Sequence, residues 1–189
     1  MLRACHRVSG AIEGVITLVM PWPRAPVNVR PADPAEIPRL AQVWYDAWRD
    51  AHANLLPAQL VRVRTLENFH DRLRASLEPV WVVGPLGAPL GLCTIRDDEL
   101  YQLFVAAEAR GTGAAQALLA DGERRLAAAG ATRGWLSCAI GNLRAARFYE
   151  KNGWSLVGVM AADLETTEGP FRLESWRYEK ELLTVPSQG

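Results

Sequence analysis

The spacing of hydrophobic positions changes several times along the chain, and each change marks an element. Ile37, Leu40, Val43, Trp44, Ala47 and Trp48 recur at intervals of three and four, the repeat of one helix face. Before them, Asp33, Pro34 and Glu36 supply an acidic cap, an N1 proline and a glutamate at N3. Pro38 lacks an N–H, which moves the start of regular helix towards Ile37. Leu66, Phe69, Leu73 and Leu77 predict a second helix over 65–77. Strands are predicted over 80–83, 90–96 and 99–105, separated by turn residues at 84–89 and by Asp97-Asp98, which makes an antiparallel meander. Helical spacing returns over 114–129 and stops at Gly130. A strand over 135–140 leads to a helix that Asn142 caps and Gly153 ends, and strands over 154–162 and 171–179 follow. With a short strand at 27–30, the order is β-α-α-β-β-β-α-β-α-β-β, an α/β chain without internal repeats. The proline-rich stretch 21–26 reads as a linker, so the expected organisation is an extension over 1–26, one domain over 27–183 and a tail over 184–189.

Composition narrows the function classes. A chain of 189 residues that is 49% hydrophobic buries a core of its own, which excludes a disordered protein. Lys plus Arg equals Asp plus Glu at 21 each, so no general attraction draws it to nucleic acid or an anionic membrane. Cys5, Cys93 and Cys138 are too few and too far apart for a disulfide framework or a metal site; the last two sit in apolar runs as small core residues. A cytoplasmic location and no metal are expected. The first 20 residues carry early basic residues and a later apolar run, loosely like a secretory signal. Glu13 and Gly14 break that run, and 16–20 is far short of the roughly 20 residues that cross a bilayer. The expectation is a peripheral extension, with Met20 as an alternative start.

The chemistry concentrates between the third strand of the meander and the next helix. There Arg110-Gly111-Thr112-Gly113-Ala114-Ala115 has almost no side-chain bulk. The N–H groups of a first helical turn lack partners and carry roughly half a positive charge, so this loop with Arg110 suits a phosphate or pyrophosphate. A Walker loop needs Lys-Ser/Thr after its last glycine, where this chain has Ala114 and Ala115. A dinucleotide fingerprint needs a third glycine and an acid about 20 positions on. Gln116 occupies the glycine position, and no Asp or Glu occurs between Glu123 and Glu150.

Arg110-x-x-Gly113-x-Ala115 does match the (Gln/Arg)-x-x-Gly-x-(Gly/Ala) signature of the GCN5-related N-acetyltransferase superfamily. Downstream, Asn142-x-x-Ala145-x-x-Phe148-Tyr149-Glu150-Lys151-x-Gly153-Trp154 is similar to that family's second cofactor motif, and Val29-Arg30-Pro31-Ala32 resembles the start of many bacterial members. The resemblance spans 27–180 and implies a single-domain fold with a mixed, mostly antiparallel sheet, flanked by helices and split at the acetyl-CoA site. It implies that Leu103, Phe104 and Val105 hold the pantetheine and thioester through their backbone. Arg110, Gly111, Thr112, Gly113, Ala114 and Ala115 would hold the pyrophosphate, and Asn142 would position cofactor or strand. Tyr149 is implied near the sulfur, as cofactor contact and general acid.

Acyl transfer to an amine needs a neutral nitrogen, a stabilised oxyanion and a thiolate that can leave. Glu99 is a candidate general base, because some members that acetylate protein lysines carry a glutamate six residues before the strand-ending valine, here Val105. Glu99 also reads as a solvated turn residue beside Asp97 and Asp98. On the acceptor side, Trp44, Tyr45, Trp48 and His52 are candidate substrate contacts on or after the first helix, though Trp44 and Trp48, four residues apart on an apolar face, suit a core better than a pocket. The run from Trp48 to His52 and Leu55-Leu56-Pro57 resembles a pattern of uncharacterised members in which His52 is a tyrosine; a histidine there could titrate near neutrality, or be a surface or packing residue. The expected reaction is direct acetyl transfer from acetyl-CoA to a small primary amine. A peptide N-terminus or lysine as acceptor, or a non-catalytic acyl-CoA-binding module, are the alternatives, and the resemblance allows a homodimer through the last strands.

Overall fold

The structure, a computed structural model, describes residues 27–75 and 79–183. The extension, its linker, Cys5, Met20, Leu77 and the tail lie outside the described residues. In chain order the elements are β1 (Val29–Pro31), α1 (Ile37–His52), α2 (Ala58–Val63), α3 (Leu66–Ala75), β2 (Trp81–Val83), β3 (Gly91–Arg96), β4 (Glu99–Val105), α4 (Ala114–Ala128), β5 (Arg133–Ala139), α5 (Leu143–Lys151), β6 (Ser155–Thr166) and β7 (Gly169–Glu181).

The seven strands form one sheet in the order β1-β2-β3-β4-β5-β7-β6. Every neighbouring pair is antiparallel except β4 and β5, which run parallel. Alternation along the strands separates two cores, one on each face. Val82 and Leu92 point to the face covered by α1 and α3, where Leu40, Trp44, Trp48, Phe69 and Leu73 are buried. Their neighbours Val83 and Cys93 point to the opposite face, where Leu118, Leu119 and Leu126 of α4 pack with Tyr149 of α5, Trp154 and Tyr178.

The start of α1 is pinned as its sequence suggests. The Asp33 side chain accepts from Ala35 N–H at 2.8 Å and closes a capping box around a short 3-10 turn, Pro34–Glu36, that leads into α1 at Ile37. The buried Glu36 carboxylate accepts from both terminal nitrogens of Arg30 at 2.7 Å and from Asp33 and Gly87 N–H at 2.9 and 2.8 Å. These donors hold its pKa near 2, the Arg30 hydrogen bond most of all.

Three features differ from the expectation. Residues 58–63 form α2, whose six residues are too few to show a helical period. A second 3-10 turn, Ala107–Ala109, joins β4 to the glycine loop. The last two strands form a longer hairpin than the expected 154–162 and 171–179, because its outer part has little apolar alternation to announce it.

Candidate active site

Between β4 and β5 the sheet comes apart. The two strands share one register pair, Glu99 with Trp135, reinforced by hydrogen bonds from Trp135 N–H to Asp98 O at 3.1 Å and from its indole N–H to Asp98 Oδ1 at 2.8 Å. Beyond that point β4 diverges, and the edge of Leu103, Phe104 and Val105 that faces β5 is unpaired with it. A bulge adds to the opening. Gln102 pairs with Thr94 and Leu100 with Ile95, so Tyr101 is an extra residue on β4. Leu100 and Leu103 pack towards α4, whereas Phe104 packs towards α1.

At the far end of β4 the chain turns through Gly111 and Gly113, both left-handed with φ of 73° and 94°. Only glycine takes this conformation without strain. Gly113 is the N-cap of α4 and offers no side chain to its first turn. Thr112 Oγ1 donates instead to Ala109 O at 2.7 Å and braces the loop. The same hydroxyl accepts from Ala114 N–H at 3.4 Å, while Gly113, Ala115 and Gln116 of the first turn line the cavity next to Arg110.

The split, the loop and the start of α5 line one cavity of about 920 Å³, near the upper limit of small-molecule sites. Its walls bring together Glu99, Leu103, Phe104, Val105, Arg110, Gly111, Gly113, Ala115, Asn142 and Tyr149 of the residues expected from sequence, with Trp48 and His52. Thr112 and Ala114 do not line it, since Thr112 is turned into the loop and Ala114 is buried. Nor does the fold bring Trp44 and Tyr45 there. Trp44 is buried against Phe69, 4.9 Å between ring centroids, and Tyr45 faces a separate depression beside α2. Asn142 caps α5 by accepting from Ala145 N–H at 3.2 Å.

Burial sets the protonation states. The Glu99 carboxyl is pushed up to about 7, desolvation outweighing the pull of Arg96. The Tyr149 phenol is raised above its ordinary value, again by burial first, and among the described residues nothing bonds its hydroxyl. His52 is corrected: burial lowers it to about 4, its Nδ1–H donates to Trp48 O at 2.9 Å, and it is neutral near pH 7. Cys138 lines the cavity but burial lifts its thiol to about 12, which suits a packing residue and not an acyl carrier. Among the described residues no cluster could hold a metal ion, and no helix is long and apolar enough to cross a membrane.

With this geometry in view, the comparisons are direct. The sequence profile of the acetyltransferase (GNAT) family matches residues 40–154, more than half of the chain. The chain belongs to that family. It is an acetyl-CoA-dependent N-acetyltransferase, and acetyl-CoA is its cofactor. Solved structures share its fold at low identity. A GCN5-related N-acetyltransferase from Rhodopseudomonas palustris matches with TM-score 0.67 and 17% identity over 84% of this chain and 98% of its own. The PaiA N-acetyltransferase of Thermoplasma acidophilum, in complex with coenzyme A, matches with TM-score 0.59 and 17% identity over 82% of this chain and 98% of its own. A phosphinothricin acetyltransferase from Sinorhizobium meliloti, in complex with AcCoA, matches with TM-score 0.60 and 18% identity over 86% of this chain and 94% of its own. A search of curated proteins returns no significant match.

The acetyltransferase site fits its cofactor: left-handed glycines, the uncapped start of α4 and an unpaired strand edge open into one cavity. Sequence reasoning passed over several of its residues. Asp50 of α1 accepts from Arg110 at 2.7 Å and from Arg144 at 2.5 Å, tying the loop and the start of α5 to α1. The Arg144 hydrogen bond chiefly holds the Asp50 carboxyl below its ordinary value. Arg64, Arg72, Arg96 and Tyr101 also line the cavity. None has a sequence signal, because each reaches the site through tertiary contact.

Proposed function

We propose that this acetyltransferase moves the acetyl group of acetyl-CoA directly onto a primary amine of a small molecule. The observation that carries the reading is the continuity of one cavity from the glycine loop, past the β4 edge, to Glu99. Met160, Ala161, Asp163 and Leu173 of the last hairpin wall one flank, and His52, Leu56 and Arg72 wall the other. Such a double-walled end suits a compact acceptor better than a chain passing through.

When bound, acetyl-CoA supplies an acetyl group activated as a thioester, whose carbon exchanges its bond to sulfur for one to the amine nitrogen. Arg110 and the amides of Gly113 and Ala115 would hold the pyrophosphate, and the free edge of Leu103 to Val105 would align the pantetheine. Glu99, half ionised near neutrality, accepts the proton that the amine loses. Tyr149 stays protonated throughout the neutral range and donates a hydrogen bond towards the sulfur. Its raised pKa makes it a poor proton donor but leaves it a permanent dipole at that point.

Calorimetric titration with acetyl-CoA, followed by an amine screen with thiol detection, tests the reading. Micromolar binding, abolished in Gly113→Trp and weakened in Arg110→Met, with turnover on a small amine, is the expected result. Binding without acetylation of any amine, or acetylation of peptides alone, overturns it.

A further inference from the structure

The end of the cavity around Glu99 has its own charge pattern. β4 is seven residues long, so its two ends stand about 20 Å apart. The glycine loop follows the end at Val105, and the cofactor phosphates belong there. At the Glu99 end the lining includes Arg72 of α3 and Arg96 of β3. Arg96 lies directly across the ladder from Glu99, and its guanidinium carbon sits 4.0 Å from the centroid of the Tyr101 ring. Arg72 approaches the same residue from the helical side, with Nη2 at 3.4 Å from the Tyr101 hydroxyl. Its guanidinium carbon is 4.6 Å from the centroid of the Trp44 ring. Arg64, buried at the junction of α2 and α3, adds a third guanidinium to the lining and donates to Asn68 Oδ1 at 3.1 Å.

Arg72 and Arg96 are at the wrong end of β4 to serve the phosphates. Arg72 also has no carboxylate partner among the described residues. Stacking engages the face of a guanidinium and leaves its in-plane N–H fork for an acceptor. Among the described residues the Arg72 fork meets the Tyr101 hydroxyl alone, at the long limit of hydrogen bonding. Among the described residues, the acids lining this end are Glu99 and Asp163, one of them half protonated near neutrality. An anionic group of the acceptor therefore meets a prepared donor in Arg72.

We propose that Arg72 anchors a carboxylate of the acceptor, so that the substrate is a small primary amine that is also an acid: a free amino acid or an amino-acid-like compound. The inference rests on the small-amine reading above and adds the second functional group of the acceptor. A flat, stacked guanidinium matches the two oxygens of a carboxylate in a bidentate pair. Arg96 holds Tyr101 in place from the other side, so the Tyr101 hydroxyl steadies the fork of Arg72 and is itself a donor towards the acid. The amine of such a substrate is then presented at Glu99, two residues along the strand.

The test is an acceptor panel at saturating acetyl-CoA. Its arms are the free L-amino acids, the amines made by removing their carboxyl group, their amides, aminophosphonates, amino-sugar phosphates and polyamines. The expected result is an amino acid used with kcat/KM at least about 100-fold above its decarboxylated amine, because the half-buried Arg72 fork gains no charged partner from the analogue. In Arg72→Met, KM for that amino acid rises about 10- to 100-fold with kcat little changed, and the preference over the decarboxylated amine collapses to below about threefold. Arg72→Lys restores part of the preference, since the charge returns without the fork. Calorimetry with acetyl-CoA must give the same Kd for all three proteins, which shows that the fold is intact. Polyamines or uncharged amines as the best acceptors, or a preference that survives Arg72→Met, overturn the inference and leave acetyl transfer standing. A preference for the phosphonates or sugar phosphates over every carboxylate overturns the choice of anion. Cofactor binding without turnover on any arm overturns the small-amine reading itself.

Discussion

Glu99 illustrates how one side chain is tuned by position. It begins β4 where the sheet is about to split, so burial opposes its charge while Arg96 across the ladder supports it. An acid titrating at about 7 makes a base whose usefulness rises with pH through the neutral range. The kcat/KM profile of the wild type is expected to climb on a limb with a midpoint near 7. In Glu99→Gln that limb disappears, turnover at pH 8 falls by about 100-fold, and the remaining activity rises only as the amine deprotonates by itself. A variant profile that keeps the limb would assign it elsewhere. Tyr149→Phe keeps the ring in its core and removes the hydroxyl; kcat should drop about 10- to 100-fold with no change in the profile's midpoint. The glycine loop was legible in the sequence because its chemistry belongs to the backbone, and an absence of side chains is visible in a string of letters. Arg72, Arg96 and Asp50 were not, since arginine and aspartate are ordinary surface residues until their neighbours are known. Trp44 and Tyr45 show the converse: aromatic letters on a helix near the cleft turned out to pack below or beside it.

Among the elements, α1 is held at both ends by charge. At its start the Glu36 carboxylate collects four donors and is shifted from 4.5 to about 2. Because the folded value lies below the unfolded one, this stabilisation is complete above about pH 4.5 and is lost as pH falls towards 2. It amounts to about 3 kcal/mol. Urea midpoints should fall across that window in the wild type, and the Glu36→Gln protein, less stable at neutral pH, should show a flatter acid limb. At its other end α1 presents Asp50 to Arg110 and Arg144, two guanidiniums at the mouth of the phosphate loop. The carboxylate occupies donors that an incoming pyrophosphate wants. Asp50→Asn is therefore expected to tighten acetyl-CoA binding about two- to fivefold at low ionic strength, with the gain shrinking in 0.5 M salt. Calorimetry at two salt concentrations checks it. Strong periodicity or firm punctuation made most of these elements readable, with β4 matching its expected bounds and α1 beginning at Ile37. The six-residue α2 and the outer hairpin lacked both signals.

At the scale of the molecule, the order of elements and the two motifs implied the fold, and the sheet follows it. What no pattern along the chain conveyed is how the strands part. A parallel neighbour that pairs at one residue and then departs is a property of two segments far apart in sequence. The same feature governs stability. β1 to β4 and β5 to β7 are two panels that share a single rung, with α4 packed beneath both. A cofactor placed in the opening as proposed would bond to the edge of one panel and rest against α5, which belongs to the other. Thermal unfolding should shift upwards with acetyl-CoA, by about 2.7 kcal/mol at 100 times Kd. The amides of β5 should gain hydrogen-exchange protection together with those of β4. On this placement a metabolite would fill the missing rungs of the ladder. In a cell where acetyl-CoA is scarce the protein would stand open along this seam, exposed to proteases, and where it is plentiful the seam would be stitched. The amount of enzyme that survives would then follow the supply of the compound it consumes.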